Sequence, residues 1–321
     1  ECINREVHAK VFQTQLLVNS PMNEPSYREK HGIVTKPGDL VIVAGRPSMG
    51  KTIDQHEMIA EMLEAMKTDI QAMRALCITA GWHAELAEKY DLYLMLTLFS
   101  FDNFRATRME SQLKVRGIAP IVLDDTKRRA LMDNVVAPLA RAVASHPNAK
   151  RVSAWDIINE PEWAIQGASL YGGDPMFDPQ TDLEAVTHAQ METLLRDTLA
   201  TLRANSKALV TVGSTAFKWK SAWSKLDLDF HQFHMYDWVN MYWPYDRSPV
   251  MYGLDDKPVV MGEFPLTGLM GVSYMKLLES WFGNAYAGAL GWAYTDPMFS
   301  GNRNLSEVKA FSGAHACETR Y

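Results

Sequence analysis

Cysteine is scarce: the chain has three, Cys2, Cys77 and Cys317. They are far apart and form no CxxC pair, so they supply neither a disulfide framework nor a zinc site and read as buried or incidental thiols. No apolar run reaches the roughly 20 residues that span a bilayer; the longest clear one is the short stretch from Leu92 to Phe99. An excess of positive charge is also lacking. Lys and Arg number 32 against 38 Asp and Glu, a net charge of −6, which argues against a surface that coats nucleic acid. Internal repeats and low-complexity tracts are absent, and 47% hydrophobic with 22% charged residues excludes disorder and coiled coil as the main state. The chain opens on Glu1 rather than Met and shows no signal-peptide pattern, as a processed form or a fragment would.

Tryptophan is plentiful. There are nine, and all but Trp82 stand at or after Trp155. A flat apolar ring with one N–H is costly to leave in water without a partner, so this bias points to a stacking surface or a Trp-rich core in the C-terminal half.

Strand-like and helix-like patterns alternate after Tyr90. Strands are expected at Leu92–Phe99, Val152–Ile158, Ala208–Gly213, Phe230–Tyr236, Val259–Gly262 and Ala289–Tyr294. Helices are expected at Ile70–Tyr90, Arg128–Ala144, Leu183–Ala204 and Tyr274–Ala285. This alternation implies parallel pairing with crossovers. Two further candidates, Val11–Val18 and Leu40–Ala44, bring the count to that of a (β/α)8 TIM barrel, an α/β fold whose first βα units are atypical or replaced; a doubly wound open sheet is the alternative. The domain reading is an atypical N-terminal segment over residues 1–68 and a barrel over residues 69–321.

In a barrel, chemistry sits at the C-terminal ends of strands. Those ends carry Asn159-Glu160-Pro161-Glu162-Trp163, His234 and Tyr236, Glu263, and Trp292. Two glutamates at the ends of very apolar strands are the notable feature. If they share one mouth, burial and mutual repulsion raise the proton affinity of one and leave the other charged. One protonated acid beside one anionic nucleophile is what retaining glycoside hydrolysis requires.

The run Ser153–Pro161 resembles the fourth-strand motif of clan A retaining glycoside hydrolases, most closely family 5, and Val259–Phe264 resembles their seventh-strand motif. His234-Met235-Tyr236 resembles the sixth-strand His-x-Tyr, and Gly291-Trp292 the eighth-strand Trp. All four occur in the family's order, over about residues 70–321. The resemblance implies that Glu160 is the general acid/base and Glu263 the nucleophile of a β-glycosidase acting on a β-linked poly- or oligosaccharide. It implies that Asn159 binds the sugar 2-hydroxyl, Tyr236 holds Glu263 charged, His234 lines the catalytic subsite and Trp292 floors it. It implies neither cofactor nor metal, no nucleic acid or membrane partner, and a secreted or periplasmic location; the oligomeric state stays open. Trp163, Trp238, Trp243 and Tyr242 either build outer sugar subsites or cap the barrel, and Phe101–Phe104 is a further candidate for substrate contact. Two family features have no counterpart: a His near the end of the third strand, where Leu98-Phe99-Ser100-Phe101 stands, and the usual first two βα units.

In place of those units stands Gly45-Arg-Pro-Ser-Met-Gly50-Lys51-Thr52 after an apolar run. Its spacing fits a phosphate-binding loop, with Gly45 and Gly50 letting backbone N–H groups turn inward, Lys51 reaching phosphate and Thr52 a magnesium ion. Residues 32–52 resemble the Walker A segment of DnaB-type replicative helicases. No helicase-like core follows, so ATP hydrolysis is not expected, and Arg46 is expected near the place of the family's second-strand Arg. A P-loop NTPase fragment fused to a foreign domain, and an inactive chimeric barrel that only binds sugar, are the alternatives.

Overall fold

A computed structural model of the chain describes residues 76–110, 113–292 and 305–315. The expected strands at Val11–Val18 and Leu40–Ala44, the boundary at residue 68, Arg46 and the loop residues Gly45, Gly50, Lys51 and Thr52 lie outside the described residues. So do Cys2 and Cys317.

Six parallel strands form the central sheet: β1 (Leu94–Ser100), β2 (Val152–Asn159), β3 (Leu209–Ser214), β4 (His231–His234), β5 (Val259–Glu263) and β6 (Gly288–Ala289). Their order in the sheet is their order in the chain. A doubly wound sheet reverses direction at a switch point; across these six strands there is none, as a barrel requires. Helices accompany the strands: α1 over 76–89, α2 (Asp125–Leu131), α3 (Ala137–Ala144), α4 (His188–Asn205) and α5 (Tyr274–Gly283), with α6 (Leu305–Ala314) after β6.

Strand β2 is buried on both faces, as strands of parallel sheets are. Trp155, Ile157 and Ile158 have no exposed surface. Alternation sorts its neighbours. Trp155 faces the helices, and its indole N–H donates to Ser206 Oγ at the end of α4. Asp156 faces the adjoining strands, accepting from Thr97 Oγ1 at 3.0 Å and from the Gly213 N–H at 2.8 Å. Helix α4 begins with a capping box between Thr187 and Gln190 and buries Met191, Leu194, Leu195, Thr198, Leu199 and Leu202, one helical face. On α5, Tyr274, Leu277, Leu278 and Trp281 repeat that spacing and close over Phe217, Phe233, Met261 and Phe264.

Four boundaries differ from expectation, the first being that of β6, expected over Ala289–Tyr294 and found at Gly288–Ala289. The helix expected from Leu183 starts at His188, because Leu183 bridges Arg105 and Val186–Thr187 pairs with Ile165–Gln166. The helix expected over Arg128–Ala144 starts at Asp125 under an Asp124 cap and is interrupted by a π-helical turn at Met132–Val136. Strand β4 stops at His234, since Tyr236 already caps a single helical turn at Asp237–Asn240.

Two irregularities of register set the aim of side chains at the strand ends. Along β2 and β3, Asp156 faces Thr211 and Asn159 faces Gly213, so β2 carries one residue more than its neighbour. Along β4 and β5, Phe233 faces Met261 and His234 faces Glu263, so β5 carries one more, at Gly262. Bulges of this kind re-aim the side chain that comes after them. Met261 belongs to the core under α5; strict alternation would send Glu263 to the same side, and the extra residue turns it toward His234. A side chain at Gly262 would overlap that of Gln232, so only glycine fits there.

Candidate active site

The C-terminal strand ends are level: Ser100 pairs with Asn159, Asn159 with Gly213, and His234 with Glu263. Glu160 follows β2 in the left-handed region, φ 51° and ψ 50°, a conformation rare outside glycine and asparagine. Its N–H is tied to the Gly213 carbonyl at 2.6 Å, and Pro161–Ala164 then form one 3-10 turn. Beneath that turn lies Glu162, fully buried, accepting from the Thr215 N–H at 3.0 Å, Thr215 Oγ1 at 2.8 Å and Trp223 Nε1 at 2.8 Å.

Five polar side chains meet in the mouth. Glu160 Oε1 lies 2.8 Å from His234 Nδ1, and Glu263 Oε2 lies 3.4 Å from the same nitrogen. The Tyr236 hydroxyl donates to Glu263 Oε2 at 2.9 Å. Trp163 Nε1 donates to Glu160 Oε2 at 3.0 Å. His234 is fully buried, and the Glu160 and Glu263 side chains are 14% and 8% exposed, so both acids are nearly dry yet open to the mouth. Their nearest oxygens and the imidazole nitrogen fall within 4.8 Å of one another, the one such group among the described residues with the donor set to hold a metal ion.

Burial dominates the electrostatics. It pushes the Glu160 carboxyl up to about 7, with the Asp102 charge adding to the rise and the Trp163 N–H opposing it. Lower in the sheet, burial raises Asp156 to about 6 against the hydrogen bonds from Gly213 and Thr97. Glu162 is raised for the same reason, against its three donors.

Every barrel residue singled out in the sequence is described. Asn159 is 5% exposed and level with Gly213. Trp163 and Trp238 are half-buried and pack on each other with ring centroids 5.7 Å apart. Trp238 also leans on the core beneath α5, as does Trp243. Tyr242 is exposed. Trp292, half-buried, pairs its backbone with Phe264 and Leu266 beside Glu263. In the Phe101–Phe104 turn, Phe104 is fully buried, whereas Phe101, Asp102 and Asn103 are half-buried. Asp156 and Glu162 were not expected from the sequence to matter at the site. A charged residue inside the run Ala154–Ile158, and one directly after Pro161, were the signals available.

No family model matches the chain. It is similar to a mannan endo-1,4-beta-mannosidase of Mytilus edulis, 24% identical over 256 residues, 70% of this chain and 66% of that protein. It is also similar to one of Cryptopygus antarcticus, 26% identical over 202 residues, 53% of this chain and 51% of that protein. The chain thus spans just under two thirds and about half of these relatives. Among solved structures, the beta-mannanase of the blue mussel superposes with a TM-score of 0.59 at 23% identity, covering 78% of this chain and 74% of that one. The Aplysia kurodai beta-1,4-mannanase gives 0.57 at 18% identity, covering 72% and 71%. The fold is a (β/α)8 barrel. Strands β1 to β6 are six of its strands, and the polar cluster stands at the end of the barrel where this fold places its sites.

Proposed function

We propose that the chain is a retaining β-glycoside hydrolase acting on β-1,4-linked mannan. One observation carries the chemistry. Glu160 and Glu263 bring carboxylate oxygens within 4.8 Å of each other around His234, and burial holds the first near 7. Carboxyl groups about 5–5.5 Å apart fit double displacement, whereas inverting enzymes separate theirs by about 6.5–9.5 Å to admit a water. The mannan assignment draws on the Mytilus and Cryptopygus relatives.

In this reading Glu263 Oε attacks the anomeric carbon while Glu160 gives its proton to the departing glycosidic oxygen. The C–O bond breaks and a glycosyl ester on Glu263 forms. Water then attacks the same carbon, Glu160 takes its proton, and the ester bond breaks, restoring both residues. The Tyr236 hydroxyl donated to Glu263 favours the anionic nucleophile. Asn159 reaches the sugar 2-hydroxyl, His234 lines the catalytic subsite, Trp292 floors it, and Trp163 and Trp238 form an aromatic wall beside the acid. The relatives are carbohydrate enzymes, which favours this reading over an NTPase or a chimera.

The test is reducing-sugar release from galactomannan and from carboxymethylcellulose, with proton NMR of the first-formed anomer. Turnover of mannan with retained β-configuration is expected. An α-anomer as first product, or no release from any β-linked polymer, rejects the proposal.

A further inference from the structure

Glu160 is held at both oxygens, and the two holders differ in kind. His234 Nδ1 faces Oε1 and can donate or accept according to its tautomer. Trp163 Nε1 faces Oε2 and can only donate. The indole therefore never competes for the carboxyl proton; it favours the charged form alone.

The position of that N–H is set without help from the Glu160 carboxyl. The Trp163 ring packs edge-on against the buried Trp219 at 5.9 Å between centroids and tilts onto Trp238 at 5.7 Å. Its carbonyl accepts from Gln180 N at 3.0 Å and its N–H reaches the Glu160 carbonyl at 3.2 Å. The turn that bears it is pinned from below by Glu162. A donor fixed in this way also fixes the rotamer of the carboxyl it binds.

Retaining hydrolysis asks Glu160 to lose a proton in one half-reaction and take one up in the next. Its near-complete burial favours only the protonated form. We propose that Trp163 is a positioning residue for the acid/base: its indole N–H clamps Oε2, orients the carboxyl and keeps the anionic form accessible between the two half-reactions. This rests on the glycosidase reading and deepens it, because the ring beside the acid then acts through its N–H as well as through its face.

The experiment compares the protein with two variants, Trp163→Phe and Trp163 replaced by benzothienylalanine, which keeps the bicyclic shape and exchanges N–H for sulfur. Carboxyl carbon-13 NMR of labelled glutamate follows Glu160 directly, with or without turnover. Loss of a hydrogen bond to a charged group should move its titration midpoint upward by about one pH unit. The alkaline limb of kcat/KM should move with it. Rate loss should be larger for the second half-reaction, seen as accumulation of the glycosyl-enzyme. An unmoved midpoint in the benzothienylalanine variant, with melting temperature as in the parent, overturns the proposal. Absence of turnover in the parent chain would instead count against the glycosidase reading, and the NMR midpoint would still decide the role of Trp163.

Discussion

Glu160 and Glu263 are both glutamates at strand ends, but their surroundings separate them. Glu160 is raised by burial and braced by an imidazole and an indole; Glu263 receives a phenolic hydroxyl. Their substitutions should therefore fail differently. Glu160→Gln is expected to slow the proposed hydrolysis of mannan by about 10²–10⁴-fold, with a smaller loss in the glycosylation step for an aryl glycoside whose leaving group needs no proton. Glu263→Gln should silence both substrates. Kinetics of the two variants on the two substrates measure this, and equal losses everywhere would contradict the division of roles. Both glutamates were legible in the sequence, since Asn159-Glu160-Pro161 and Gly262-Glu263 stand at the ends of apolar runs. Trp163 was visible only as a ring that could stack on sugar. Its hydrogen bond depends on the left-handed backbone at Glu160 and the turn after it, which no residue type announces.

The turn Pro161–Ala164 is anchored from below by one side chain. Glu162 draws donors from Thr215 and Trp223, both in the segment after β3, and so staples that segment to the end of β2. Glu162→Ala would leave a buried N–H, hydroxyl and indole without an acceptor. A loss of about 3–5 kcal/mol is expected, larger than truncation alone would cause, and urea unfolding reads it directly; a loss under about 1 kcal/mol would refute the staple. The sequence does not announce this staple, because a glutamate after a proline in a loop is ordinarily a wet one. At the level of elements, strand positions followed from apolar runs, while boundaries did not. Residues 183–187 carry helix-forming character yet are spent on a bridge to Arg105 and a pairing with Ile165–Gln166, contacts distant in sequence and so invisible to local periodicity.

Across the whole molecule, the buried carboxyls set the response to pH. Asp156, held near 6, and Glu160, near 7, keep their protons in the folded state after an unfolded chain has released them at ordinary values of 3.8 and 4.5. Glu162 shifts the same way. Between those ordinary values and the raised ones the native state binds more protons, so stability falls as pH rises and then levels off. The shifts of Asp156 and Glu160 correspond to about 3 kcal/mol each. Opposed to them in this window, burial holds His188 below its ordinary value of 6.5, which lets stability rise as pH climbs toward that value; this is one group against three carboxyls, and Glu88, held low by Arg151 and Lys150, acts only below the ordinary carboxylate range. The protein should therefore melt at a higher temperature at pH 5 than at pH 8, and Asp156→Asn should flatten the slope. A melting temperature that rises from pH 5 to pH 8 would count against this.

The extra residue in β2 and the extra residue at Gly262 in β5 separate two kinds of sequence change. An exchange of one side chain for another leaves the count of residues between neighbouring strands intact, and the aim of both glutamates with it. A deletion of one residue from either strand alters that count and, by the period of two, is expected to turn the carboxylate beyond it away from the mouth. The two similar mannosidases differ from this chain at about three quarters of the aligned positions. Length within these two strands is the property it has least freedom to lose.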